Sequence, residues 1–200
     1  MPLFSEFTYG VSTHPKEGNQ YSGDQFLIRP YGQDILIAIM DGLGHGYEAF
    51  IAAQKAIEIL KFSPDNNSLI DLVNQCNEVL KCTHGVVLFI ALIHKQYTIS
   101  WVSIGNISAV LYKNNFDGLP KNELLFGQSG VVGSHLPRLT LSCLTVDPGD
   151  QLILATDGIK QDFIQMKFNS FELPQKIADQ IFSMYRDSND DALVLTFRWN

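Results

Sequence analysis

The 200-residue sequence predicts an α+β layered sandwich, two sheets covered by helices, in one domain spanning residues 1–200. Three observations predict it. Short apolar or alternating runs fill both halves of the chain. Amphipathic segments interrupt them as a pair early on and singly near the end. No internal repeat, low-complexity tract or long linker divides the chain, so one core serves its whole length.

"SEFTYGVS" (5–12) and "DQFLIRPY" (24–31) alternate as half-buried strands do, whereas "DILIAIMD" (34–41) is a continuous apolar run, suited to a strand covered on both faces. Past the glycines that follow, apolar residues recur at helical spacing from Tyr47 to Phe62, and "SPDNNS" breaks the pattern. A second helix runs from Ser68 to Lys81, with Leu69, Leu72, Val73, Cys76 and Leu80 on one face and a capping box at Ser68 and Asp71. "GVVLFIALIH" (85–94), "YTISWVSIG" (97–105) and "ISAVLYKN" (107–114) predict an antiparallel meander. A loop-rich stretch, 114–135, precedes strands at "RLTLSCLTV" (138–146) and "DQLILATD" (150–157), with Pro148 and Gly149 suited to the reversal between them. Residues 172–186 predict a third helix with Pro174 in its first turn, and "DALVLTFRW" (191–199) a last strand.

Composition excludes some functions. Fourteen Lys and Arg against 21 Asp and Glu give a net charge of −7, with no basic cluster of the kind a phosphate-backbone binder needs, so nucleic acid is not an expected partner. No apolar run approaches the ~20 residues that span a bilayer, and no signal peptide opens the chain. Cys76, Cys82 and Cys143 are odd in number and lack metal-knuckle spacing, which suits reduced thiols buried in the core and a cytoplasmic location.

The chemistry lies with the acids. Asp24, Asp41, Asp157 and the pair Asp190–Asp191 each border a predicted apolar strand directly. Taken singly, each fits a turn or a cap. Strand ends are rigid, however, and carboxylates gathered there repel one another unless a cation lies among them; Mg²⁺ and Mn²⁺ favour such oxygen donors. Two such ions roughly 3.5–4 Å apart activate water for in-line attack on phosphorus. In "MDGLGHG", Asp41 is placed to bridge two ions and Gly42 to offer its carbonyl, while Gly44 and Gly46 give the backbone the freedom to turn into the helix at Tyr47. His45, in mid-loop, is a candidate for substrate contact, although alone it reads as a solvated loop residue.

"SGDQF", "IMDGLGHG", "SIGN" (103–106), "PGDQLILATDGI" and "NDDALVL", in that order over nearly the whole chain, resemble the motifs of the PPM-type metal-dependent serine/threonine protein phosphatases. The similarity is to the compact bacterial branch that includes SpoIIE, RsbU and RsbX, and within it to the stressosome phosphatase type, RsbX. The resemblance implies a four-layer αββα sandwich, two mainly antiparallel sheets flanked by helices, with two divalent ions, Mn²⁺ or Mg²⁺, between the sheets. It implies catalytic roles for Asp41 and Asp157 and metal ligation by Asp24, Asp41, Gly42, Asp157 and Asp190, with Asp191 the less favoured member of its pair. The implied reaction is direct attack of a metal-bridging water on phosphoserine or phosphothreonine of a phosphorylated STAS-domain partner. "CTHGVVLFIAL" departs from the small residues common there, putting Val86, Val87 and Leu88 near the site. The alternatives are an inactive docking module of the same fold and a small-molecule phosphatase, the latter disfavoured because Arg138 and Lys160 stand isolated.

Overall fold

A computed structural model of the chain describes residues 7–114, 121–168 and 172–200. The elements follow in the order β1 (Phe7–His14), β2 (Asp24–Tyr31), β3 (Asp34–Gly42), α1 (Tyr47–Phe62), α2 (Leu69–Leu80), β4 (Val86–His94), β5 (Thr98–Ile104), β6 (Ser108–Lys113), β7 (Lys121–Leu124), β8 (Ser142–Thr145), β9 (Gln151–Ala155), α3 (Pro174–Tyr185) and β10 (Ala192–Trp199). Among the described residues the strands form two antiparallel sheets, β1-β10-β9-β6-β7 and β2-β3-β4-β5-β8.

Strand parity explains the layering. In β3 the odd positions Ile35, Ile37 and Ile39 join Phe89, Leu152, Leu154, Leu195 and Phe197 in the core between the sheets. The even positions Leu36, Ala38 and Met40 pack beneath Ala52, Ala53, Ala56 and Leu60 of α1 and Leu72, Val73 and Cys76 of α2. A strand covered on both faces has no polar side to show, which is why its sequence is a continuous apolar run. On the other sheet Val110, Ile153, Ala155 and Val194 meet Ile177, Ala178 and Ile181 of α3. The result is the four-layer αββα sandwich. No helix among the described residues is long and apolar enough to cross a membrane.

Local signals hold where short-range chemistry decides. Ser68 accepts from the Asp71 amide and the Asp71 carboxylate answers at the Ser68 amide, so the α2 capping box is complete. Pro174 opens α3, where an amide would have had no partner within the helix. α3 begins two residues later than its apolar spacing suggests, and the strand foreseen from Ser5 is described only from Phe7.

Four expectations need correction. Of the three cysteines expected in the core, Cys76 is buried, but Cys82 and Cys143 are exposed, the first just past the end of α2 and the second on the edge strand β8. β4 and β5 pair, but β6 does not continue the meander: it lies in the other sheet between β9 and β7. The crossing occurs at Gly105, whose φ of +92° reverses the chain where a paired hairpin would have kept it in plane. The strand foreseen at 138–146 shrinks to Ser142–Thr145, because the Gln128 side chain claims the Arg138 carbonyl (2.7 Å) and the Thr140 amide (3.0 Å). The loop-rich stretch also contains an edge strand, β7, with too little apolar alternation to announce itself.

Candidate functional site

The inward parity of β3 carries past Ile39 to Asp41, so the carboxylate lies at the end of the core between the sheets. Asp24 at the start of β2 is its register partner, and Val87 of β4 flanks it on the other side. The opposite sheet supplies Asp157, just beyond β9, and Asp190, just before β10. Asp41, Asp157 and Asp190 line one open cleft of about 580 Å³ together with Val87, Gly105, Asn106 and the Ser129–Val131 wall. Four strand ends from two sheets thus bring like charges together.

Electrostatics records that crowding. Burial, then Asp157 and Asp190, push the Asp41 carboxyl up to about 8. Burial and the neighbouring Asp41 raise Asp24 well above the usual carboxylate range, and Asp190 is raised too, chiefly by desolvation. Asp24 is 2% exposed; its Oδ2 accepts from the Thr156 hydroxyl at 2.6 Å, while Oδ1, among the described residues, has no hydrogen-bond partner. A buried carboxylate oxygen without a donor, among acids that repel, is the chemistry a hard divalent cation satisfies. Among the described residues no three His, Cys, Asp or Glu side chains are arranged to hold a metal ion by themselves.

The adjacent acids Asp190 and Asp191 do different work. Asp190 faces the cleft, half-buried. Asp191 turns away, 3% exposed, and its two oxygens accept the Lys16 and Gly23 amides, each at 2.7 Å. It clasps the loop that leads into Asp24.

The glycines have separate reasons. Gly44 (φ +99°) and Gly46 (φ +72°) take left-handed conformations in the turn to α1, as the sequence suggests. Gly42 remains in β3, buried beneath the cleft lining, and a Cβ there would lie 2.2 Å from the Ala49 carbonyl oxygen. Closeness to α1 therefore fixes Gly42 as glycine, independently of any role for its carbonyl. His45 is exposed on the loop and lies outside the cleft lining. Thr156 escaped the sequence reading: besides holding Asp24, its hydroxyl accepts from the Leu193 amide at 2.9 Å, tying the sheets together. The signal was its parity, since a polar side chain follows Leu152 and Leu154 on the core-facing side.

Comparison with known proteins gives a consistent answer. The family model described as Stage II sporulation protein E (SpoIIE) matches residues 31–200. The chain is 25% identical over 183 residues to the phosphoserine phosphatase RsbX of Bacillus subtilis (strain 168), covering 90% of this chain and 87% of that protein. A crystal structure of RsbX in complex with magnesium superposes with a TM-score of 0.85 at 20% identity, over 98% of this chain and 96% of that one. The PP2C phosphatase domain of SpoIIE from Bacillus subtilis gives a TM-score of 0.75 at 18% identity, over 96% of this chain and 62% of that chain.

Proposed function

Because the chain belongs to the SpoIIE family, we propose that it is a divalent-metal-dependent protein serine/threonine phosphatase acting in the cytoplasm on a phosphorylated STAS-domain signalling protein. The observation that carries this reading is the convergence of Asp41, Asp157 and Asp190 from both sheets on one open cleft, with the buried oxygen of Asp24 behind it. In this reading two divalent cations, Mn²⁺ or Mg²⁺, would be held at the strand ends, with Asp41 serving both. The Gly42 carbonyl and Asp24 would serve one of them and Asp157 and Asp190 the other, and exposed His45, outside the cleft lining, would meet the substrate. Such cations, when bound, would supply the activation of water for attack on phosphorus and would offset charge on the phosphoryl oxygens.

The chain's own contribution is placement. Strand ends fix the acids, the αββα core holds the sheets at a set separation, and the open cleft admits a phosphorylated side chain standing out from a folded partner. Arg138 and Lys160 are both exposed and lie outside the cleft lining, which favours a protein substrate over a small phosphate ester that needs a cationic pocket.

The test is phosphate release from a serine-phosphorylated STAS-domain protein, followed by mass shift, with Mn²⁺, with Mg²⁺ and with EDTA, for the natural chain and Asp157→Asn. Release that needs metal and is lost in the variant is the expected result. A folded sample that binds the phosphoprotein yet releases nothing with either metal would overturn the catalytic reading in favour of a docking module.

A further inference from the structure

Asp157 is exposed on the turn after β9, and a free carboxylate there has several rotamers to choose from. Its Oδ2 accepts a hydrogen bond from the Asn106 side-chain amide at 2.9 Å. In isolation such a surface bond stabilises little, because water serves either partner nearly as well. Its importance depends on whether Asn106 is itself fixed.

The turn that bears Asn106 is held from three directions. Gly105 packs so tightly on β4 that a Cβ would lie 2.2 Å from Val87 Cγ1, and its amide donates to the Gln128 carbonyl at 2.8 Å. The Gln128 amide donates in turn to the Ser103 carbonyl at 2.9 Å. Farther out, the Gln128 side chain binds the Arg138 carbonyl and the Thr140 amide. The chain crosses from one sheet to the other here, so the Asn106 side chain reaches from the β5 end toward the β9 end. Val87, whose bulk departs from the small residues expected at this place, forms the surface on which Gly105 rests.

We propose that Asn106 is a positioning residue for Asp157: its amide fixes one carboxylate oxygen and leaves the other for the cleft. The inference rests on the reading of Asp157 as a metal ligand. Asn suits the task because it donates without adding charge. A Lys or Arg at 106 would pair with the acids and compete with a cation, while an Asp would add a further like charge to a crowded group. Partners of metal-binding carboxylates act in this way, setting ligand orientation and hence affinity.

The experiment compares the natural chain with Asn106→Leu, which keeps the shape without the donor, and Asn106→His, whose Nδ1–H can occupy the place of the amide. Mn²⁺ binding is titrated by calorimetry on the full chain, and turnover of the phosphoprotein is measured beside it. Asn106→Leu is expected to weaken Mn²⁺ binding by about 10- to 100-fold. Turnover is expected to fall at limiting metal with KM for the phosphoprotein unchanged, and Asn106→His to recover most of the affinity. The metal-free melting temperature of Asn106→Leu is expected to stay within about 2 °C of the natural chain, because the lost bond is exposed. Equal Mn²⁺ affinity in the natural chain and Asn106→Leu would overturn this inference alone. A natural chain that binds no Mn²⁺ would overturn the metal-site reading itself, and the inference with it.

Discussion

Replacing Asp191 by Ala separates the two jobs that neighbouring acids perform. The carboxylate is 3% exposed and accepts two backbone amides at 2.7 Å, one of them, at Gly23, in buried surroundings. An orphaned buried amide costs about 1–3 kcal/mol, and the Lys16 amide, nearer to water, belongs at the lower end of that range. The sum is about 3 kcal/mol, which in a domain of this size lowers the melting temperature by roughly 6–12 °C. Asp190→Ala is expected to cost much less in metal-free protein. Its carboxyl lies among like charges and is raised chiefly by desolvation, which offsets the one amide it accepts, that of Asp191 at 2.9 Å, so the melting temperature is expected to fall far less than in Asp191→Ala, while Mn²⁺ binding falls. The assay is a thermal melt in EDTA with a urea titration for each variant, followed by Mn²⁺ titration of the folded samples. An Asp191→Ala protein as stable as the natural chain, or an Asp190→Ala protein destabilised to the same degree, would refute the division.

Two further tests probe the same end of the sandwich. Asp41 is displaced upward to about 8, so its folded-state proton is held more tightly than in the unfolded chain; its contribution to the stability of metal-free protein is then expected to be full at low pH and to be lost as pH rises toward and through about 8. Asp41→Asn should flatten this dependence in EDTA melts between pH 5 and pH 9, and an unchanged slope would contradict the crowding argument. Thr156→Val keeps the shape but withdraws the hydroxyl from the Asp24 carboxylate and from the Leu193 amide. A loss of about 1–3 kcal/mol in urea unfolding is expected, with faster hydrogen exchange at Leu193, and an unaltered midpoint would show that the tie between the sheets is weak.

What the sequence discloses follows the range of the forces involved. The apolar run of β3, the α2 capping box, the proline at the start of α3 and the turn glycines Gly44 and Gly46 are set by neighbours within a few residues, and all are legible. So is the placing of Asp24, Asp41, Asp157 and Asp190 at strand ends, because each follows or precedes an apolar segment directly. The choice between paired strands and a crossing at Gly105 depends on contact with Val87 and Gln128, both distant in sequence, and the meander reading failed there. β8 is cut short by a side chain ten residues upstream of its expected start. The clasp by Asp191 spans 175 residues to Lys16 and leaves no local trace, while the Thr156 bond spans 132 to Asp24 and shows locally only in the core-facing parity of a polar residue after Leu152 and Leu154. Asp191 looks like a twin of Asp190 in the sequence, and only strand direction separates them.

The αββα packing also makes the site a caliper. Asp24 and Asp41 ride on one jaw, Asp157 and Asp190 on the other, and the opening between them is set by side chains such as Phe89 and Phe197, which belong to the core that fills the space between the jaws. A repacked core can therefore retune the gap across the cleft while every acid stays in its place in the chain. Variants that alter cation preference should arise in that interior, at residues that a search confined to the cleft would pass over.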